Sequence, residues 1–209
     1  NMSNVSKVTS RFIGTGLATS ATAIAAEQDP ADGVALTLAA AAATFSGAGG
    51  EANCVVQTIT LTSGAGDDNS DVTYTITGKD GLHNIITEDL VGPAGGATVN
   101  SVLFYSKIDS IVGNGAASVD ISAGVLSTGM HAVIWTGRTR LRAMHGVVGA
   151  VGTYVFRNTS ITGTAIMPIT CTTGDLDPYI ADDGVLFTAG CYLVVAVDDM
   201  TGLTVYIDG

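Results

Sequence analysis

The fold class is indicated most clearly by residues 72–91, VTYTITGKDGLHNIITEDLV. Over Val72–Thr77, threonine alternates with larger apolar side chains, and a period of two residues is typical of a strand with one buried face. The pair Asp80-Gly81 follows, and it readily takes the positive φ angles that a tight hairpin needs. His83–Val91 then supplies the return strand. The stretch therefore predicts an antiparallel β-hairpin.

The same pattern recurs along most of the chain. Cys54–Thr62 alternates before the hairpin, and a turn rich in glycine and aspartate separates the two. The further predicted strands are Thr98–Tyr105, Lys107–Val112, Ser118–Ser122, His131–Thr136, Thr139–Val148, Tyr154–Asn158, Ile161–Pro168, Val185–Phe187, Cys191–Val197 and Leu203–Ile207. The only helix candidates, Leu17–Ala26 and Ala35–Thr44, are alanine-rich and interrupted by Thr or Ser. Many short strands without long helical periodicity predict an all-β fold of antiparallel sandwich-like or barrel-like domains.

Three parts are expected along the 209 residues. This length suits one large β domain or two small ones, and the strand pattern resets near Ser127. We therefore expect an extended N-terminal arm over residues 1–33. A β-sandwich domain over 34–126 and a second β domain over 127–209 follow it.

The expected arm begins with a segment that superficially resembles a signal peptide. Lys7 and Arg11 precede an apolar stretch, but Gly, Thr and Ser interrupt it, whereas the core of a signal peptide is more continuously apolar. We therefore expect an ordered arm that lies along a neighbouring subunit. Its candidate contact residues are Lys7, Arg11 and Phe12.

Charge is scarce in this sequence and mostly negative. Charged residues make up 13% of the chain, against about 25% in an average soluble domain, so we expect much of the surface to be covered in an assembly, such as a homo-oligomer. The net charge of −11 opposes binding to nucleic-acid phosphates and to anionic membranes. No stretch reaches the ~20 apolar residues of a membrane-spanning helix. We therefore expect neither nucleic acid nor a membrane as a partner.

Sequence motifs for catalysis or metal binding are absent. The three histidines form no H-x-x-x-H pattern, no serine lies in a G-x-S-x-G elbow, and no Walker motif occurs. The aspartate-rich stretches Asp67–Asp71 and Asp175–Asp183 lack the spacing of a calcium loop, and aspartate is common in turns. We therefore expect no enzymatic activity, no cofactor and no resident metal.

The three cysteines, Cys54, Cys171 and Cys191, lack metal-ligand spacing, and their odd number argues against a full disulfide framework. We expect buried thiols that pack as small apolar groups. A Cys171–Cys191 bridge remains an open alternative, because the sequence does not give the distance between them.

Three arginines are predicted to lie on one face of a strand. Arg138, Arg140 and Arg142 are two residues apart, and side chains at this spacing point to the same side. They account for three of only eight basic residues in the chain. One interpretation is a contact stripe that pairs with acidic loops of a neighbouring subunit. The other is a solvated strand face whose arginines pair with aspartates of the same chain.

Two regions of the chain resemble segments of bacteriophage virion proteins. The first, which covers roughly residues 20–126, shares a hairpin, a Gly-Pro stop and a later aromatic residue; the corresponding residues are Thr75, Thr77, Gly78, Asp80, Gly81, Asn84, Gly92, Pro93, Phe104 and Asp109–Ile111. Lys79 and Leu82–His83 depart from that pattern at the hairpin tip. The second, which covers roughly residues 130–209, shares Gly137–Arg140, Asp182–Phe187, Gly190–Val195 and Leu203–Tyr206.

This resemblance implies a structural virion protein that decorates the capsid exterior and stabilises the shell by bridging its subunits. The implied partners are the major capsid protein and copies of the chain itself. A tail, fibre or head-to-tail component is an alternative within the same class. A glycan-binding module or a cell-surface β module is an alternative from a different class.

Overall fold

The computed structural model describes residues 8–43, 53–66, 68–115, 120–196 and 199–209. Over these ranges the chain forms strands and one short 3-10 helix, Ala40–Ala43. The strands are β1 (Val8–Ile13), β2 (Ser20–Gln28), β3 (Val55–Ser63), β4 (Thr73–Lys79), β5 (Ile85–Val91), β6 (Thr98–Tyr105), β7 (Lys107–Gly113), β8 (Ile121–Trp135), β9 (Thr139–Val148), β10 (Gly152–Asn158), β11 (Ala165–Cys171), β12 (Gly174–Leu176), β13 (Val185–Phe187), β14 (Cys191–Val194) and β15 (Met200–Asp208). The predicted all-β fold is confirmed.

The strands form three antiparallel sheets. The largest has seven strands in the order β11-β10-β14-β8-β3-β6, and β2 also pairs with β8. A five-stranded sheet has the order β1-β15-β9-β12, with β13 also on β9. A three-stranded sheet has the order β5-β4-β7 and contains the hairpin predicted from residues 72–91.

Two hydrophobic cores lie between these sheets. In one, Leu203 and Val205 of the five-stranded sheet pack with Phe156 and Leu193 of the seven-stranded sheet. In the other, the three-stranded sheet contributes Tyr74, Ile76, Ile108 and Ile111, and the seven-stranded sheet contributes Ile59, Leu61 and Ile121. Each smaller sheet therefore buries its apolar face against a different part of the seven-stranded sheet.

Strand β8 belongs to both cores. Val125 in its first half packs in one core, and Met130 in its second half packs in the other. Its pairing with β3 is interrupted between Val56 and Thr58. There, the four residues Ser127–Met130 of β8 lie opposite the single residue Gln57 of β3. The expected domain boundary at Ser127 lies within this irregularity. Because β3 and β8 continue on both sides of it, the division into two domains is not confirmed.

Gln57 fills the space at the irregularity with a fully buried side chain. Its Nε2 donates hydrogen bonds to the carbonyl oxygens of Leu17 (2.8 Å) and Leu126 (3.2 Å). Its Oε1 accepts a hydrogen bond from the Leu17 amide at 2.8 Å. One side chain therefore joins β3, β8 and the connection between β1 and β2.

Most of the expected arm that the structure describes belongs to the chain's own sheets. β1 pairs with β15 over six residue pairs from Val8 to Ile13, and β2 pairs with β8. The backbone of Ser20 and Ala21 lies directly against Gly124, where it leaves no room for a side chain. This placement differs from the expected arm along a neighbouring subunit.

Both helix predictions fail over the described residues. Leu17–Ala26 overlaps β2, because pairing with β8 outweighs the helix propensity of its alanines and its β-branched residues favour a strand. Within Ala35–Thr44, the structure places only the single turn Ala40–Ala43; Thr44 lies outside the described residues.

Replacing Gln57 by Leu is expected to lower the free energy of unfolding by about 2–4 kcal/mol. Leu keeps the approximate volume but leaves the amide and carbonyl of Leu17 and the carbonyl of Leu126 without this partner, and unpaired buried groups cost about 1–3 kcal/mol each. Urea unfolding measures the loss. Thr62→Val on the same strand is the control, since it removes only an exposed hydroxyl pair with Thr98. Equal losses of unfolding free energy in the two variants would contradict the role of Gln57 in joining β3 and β8 to the connection between β1 and β2.

Candidate functional site

Arg140 and Arg142, two members of the predicted arginine stripe, bind a loop of their own chain. Arg140 Nη1 donates to the carbonyl oxygen of Asp183 at 2.7 Å, and Arg142 Nη1 donates to that of Asp182 at 2.8 Å. Arg142 Nη2 also forms an ion pair with the Asp208 carboxylate at 2.8 Å. Arg138 lies before β9, in the exposed turn 136–138. The contacts of Arg140 and Arg142 correspond to the intrachain interpretation of the stripe.

The candidate contact residues of the arm that the structure describes connect β1 to neighbouring strands. Arg11 Nε donates to the carbonyl oxygen of Ile134 at 3.1 Å. The Phe12 carbonyl oxygen accepts a hydrogen bond from the Cys54 amide at 2.9 Å. The Phe12 ring lies beside Gly202. Lys7 lies outside the described residues.

Residues 175–183, which we call the acidic loop, are the segment held by Arg140 and Arg142. Along it, Asp177, Tyr179 and Ala181 are exposed, whereas Pro178 and Ile180 are half-buried. Ile180 packs against the hydrophobic core, and the Tyr179 side chain is 87% exposed. The arginine hydrogen bonds and the Ile180 contact therefore fix the backbone of a loop that presents an aromatic side chain to solvent among aspartates.

Four exposed apolar side chains lie on the edge strands β5 and β6, and we call this set of residues the apolar edge. Its exposed side chains are Ile85, Val91, Val102 and Leu103. Ile85 is 73% exposed and Val102 is 80% exposed. Isolated apolar side chains on a surface are common, but exposed apolar side chains on the edge strands of a sheet lie where a partner can add its own strand or cover them.

Glu88 holds these two strand edges together. Its Oε1 accepts a hydrogen bond from the Val102 amide at 2.7 Å, and its Oε2 accepts one from the Leu103 amide at 3.0 Å. These amides lie at the free edge of the seven-stranded sheet, where unpaired donors would otherwise be open to another strand. The carboxylate therefore takes the place of a neighbouring strand.

Val102 is exposed in phase with Thr98 and Asn100, and an irregularity in β6 exposes Leu103 beside it. Thr58 pairs with Phe104 and Thr60 pairs with Asn100, so Ser101–Leu103 lie opposite a single residue of β3. The Ser101 hydroxyl accepts from the Ile59 amide at 2.9 Å and donates to the Leu103 carbonyl at 2.8 Å. Sequence reasoning missed this site, although the apolar run Val102-Leu103-Phe104 interrupts the expected alternation.

A second surface feature is a cavity of about 370 Å³ beside β10 and β14, which we call the Arg157 pocket. Its apolar lining comes from Val151, Val155, Ile161 and Val194. Arg157 Nη1 donates to the carbonyl oxygen of Gly163 at 2.9 Å, and among the described residues Arg157 forms no ion pair with a carboxylate. The pocket therefore combines apolar walls with the positive charge of Arg157 and the carboxylate of Asp199, which accepts a hydrogen bond from the Ala196 amide at 2.7 Å.

The strongly shifted titratable groups are buried packing groups. Burial, partly opposed by the charge of Arg11, raises the pKa of Cys54 to about 12. Burial also raises the pKa of Cys191 and, to a smaller extent, that of Cys171. Burial lowers the pKa of His131, although its hydrogen bond to the Gly129 carbonyl opposes the shift.

All three cysteines are free thiols, so the structure contains no Cys171–Cys191 bridge. Within the described ranges, no group of three or more His, Cys, Asp or Glu side chains is placed to hold a metal ion. The same part of the chain contains no helix that is long and apolar enough to cross a membrane.

Comparison with known proteins gives no relative: no family model, no curated protein and no solved structure matches this chain.

Glu88→Gln is expected to lower the free energy of unfolding by about 1–3 kcal/mol, because the amide side chain offers one acceptor oxygen where two backbone amides need one each. Urea unfolding measures this loss. The matched control is Glu27→Gln, which neutralises an exposed glutamate in β2. If both variants are as stable as the parent chain, Glu88 does not hold the two edges together.

A thiol reagent at pH 8 is expected to label Cys171 in the folded protein and to spare Cys54 and Cys191. Cys54 and Cys191 are buried, whereas Cys171 is partly exposed, and reaction requires an accessible thiolate. Mass spectrometry of the labelled chain identifies the sites, and unfolding should make all three reactive. In Cys171→Ser, native labelling should disappear. Rapid native labelling of Cys54 would show that the core around β3 opens readily.

Proposed function

We propose that this protein is a structural component of a bacteriophage virion that decorates the capsid exterior and stabilises it by bridging shell subunits. The observation that carries the proposal is the apolar edge, where Ile85 and Val102 are exposed on a rigid pair of strands. When a partner covers such side chains, removal of their apolar surface from water favours association. The resemblance to virion proteins and the low content of charged residues support the same role.

The proposed mechanism is mechanical. Packaged DNA pushes outward on a shell, and a protein that spans two shell subunits adds contact area that must be separated before the shell opens. Apolar burial contributes about 25 cal/mol per Å² before the cost of association is subtracted. A modest contact that is repeated over a symmetric shell therefore adds a large total stabilisation.

The charge distribution supports a position on the outside of the shell. The net charge of −11 repels DNA phosphates, so an interior position beside the packaged genome would be unfavourable. The major capsid protein and further copies of this chain are the proposed partners. No step of this role requires a catalytic group, a cofactor or a metal ion.

A reconstruction by cryo-electron microscopy of the particle that carries this protein tests the proposal. We expect many copies at repeated positions on the outer shell, with the apolar edge against a shell subunit. A few copies at one vertex would instead indicate a tail or head-to-tail component. Absence from the particle would overturn both, and binding to a glycan panel would then test the glycan-binding alternative.

A variant with Val102→Asp is expected to lose at least about 30-fold in affinity for shells that lack the protein, the effect of removing one central interface side chain. Co-sedimentation with such shells measures this affinity. The control is Val34→Asp, which changes a side chain that is 51% exposed and lies outside the apolar edge. Equal binding by the two variants would remove the apolar edge from the shell contact.

A further inference from the structure

The acidic loop has the properties of a preformed contact element. Tyr179 projects from it and is the most exposed of the large apolar side chains in the described residues. Asp177, Asp182 and Asp183 lie nearby in sequence and are exposed. Because Arg140, Arg142 and Ile180 already fix the backbone, little conformational entropy is lost when a partner binds.

The chemistry of the loop defines the partner that would fit it. An aromatic ring among carboxylates requires an apolar recess for the ring and a positive charge for the aspartates. Tyrosine and arginine are also the residue types that most often dominate interface energies, and an arginine beside an aromatic ring adds a cation–π attraction.

The Arg157 pocket has this complementary chemistry. Its walls are the side chains of Val151, Val155, Ile161 and Val194, and Arg157 supplies the positive charge. Asp199 also lines the pocket, but its carboxylate already accepts a hydrogen bond from the Ala196 amide at 2.7 Å. A second arginine-lined cavity, beside Arg138 and Arg140, fits less well because Arg140 already binds the acidic loop of its own chain.

We propose that the acidic loop of one copy docks into the Arg157 pocket of a second copy, with the Tyr179 ring against the valines and the aspartates beside Arg157. This contact gives the protein a partner in the assembly role proposed above, and it rests on that role. Tyr179 is 87% exposed, so it does not occupy the pocket of its own chain.

The two halves of the contact are different surfaces. The acidic loop connects β12 to β13, which both pair with β9 of the five-stranded sheet, whereas β10 and β14 belong to the seven-stranded sheet. An interface between different patches is heterologous, and each copy keeps a free half after the first contact. Copies can therefore form closed rings or extended arrays, as a repeating layer on a shell requires.

Sedimentation velocity of the full chain over a range of concentrations tests the contact. We expect oligomers in the parent chain and a dissociation constant raised at least about 30-fold by Tyr179→Ser or by Val151→Asp. The second change places a negative charge on the rim of the pocket, at a side chain that is 71% exposed, so neither variant should unfold. Thermal unfolding followed by circular dichroism checks this.

Two matched controls accompany these variants. Tyr179→Phe keeps the ring and should retain association, whereas Val34→Ser removes an exposed apolar side chain elsewhere and should change nothing.

Mixing the two defective variants gives the sharpest result. The Tyr179→Ser chain keeps an intact pocket, and the Val151→Asp chain keeps an intact loop. An equal mixture should form one-to-one pairs with the parent affinity for a single contact, and no larger species. Equal association of Tyr179→Ser and the parent chain, or a mixture that stays monomeric, would overturn the proposal.

A parent chain that stays monomeric up to about 1 mM would also overturn it, since contacts with dissociation constants in the millimolar range are detected there. A monomeric parent chain and failure of the proposed virion role are distinguishable results. Self-association without a place on the particle would remove the virion role alone. A monomer that still decorates particles would remove only the contact between copies.

Discussion

The buried amide of Gln57 is the interaction on which the arrangement of the sheets depends. β3 and β8 pair on both sides of an irregularity. Within it, backbone N–H and C=O groups do not find hydrogen-bond partners through regular strand pairing. Gln57 bonds to both Leu126 and Leu17, so it connects the two long strands to the segment that leads from β1 into β2. A polar group buried in this way must be fully paired, and this requirement specifies one path for the N-terminal segment.

The basic residues of this chain mainly organise its own structure. Arg140 and Arg142 orient the acidic loop, Arg11 bonds to β8, and Arg157 anchors the Gly163 carbonyl. In a chain with 8 basic and 19 acidic residues, these contacts use much of the positive charge internally and leave acidic groups on the surface. The surface therefore offers partners mostly negative charge and exposed apolar side chains, with Arg138 and Arg157 as local exceptions.

Departures from regular pairing produce the proposed contact surfaces. The irregularity in β6 exposes Leu103 beside Val102, and the connection between β12 and β13 presents Tyr179. In each case neighbouring hydrogen bonds satisfy the backbone: Glu88 and Ser101 at the first position, Arg140 and Arg142 at the second. A backbone that is already fixed and carries exposed apolar side chains favours binding, because little conformational entropy is lost when a partner binds.

The sequence by itself determined the β class and many of the strands, including the bounds of Thr98–Tyr105, Thr139–Val148 and Val185–Phe187, because alternation and turn residues are local properties. It also placed Arg140 and Arg142 together on β9. Only the tertiary structure decided that β2 is a strand, that Gln57 joins β3 and β8 to the connection between β1 and β2, and that Arg140 and Arg142 bind the acidic loop. These outcomes depend on which distant segments pair, and pairing between distant segments is set by the packing of the whole chain rather than by the pattern within any one segment.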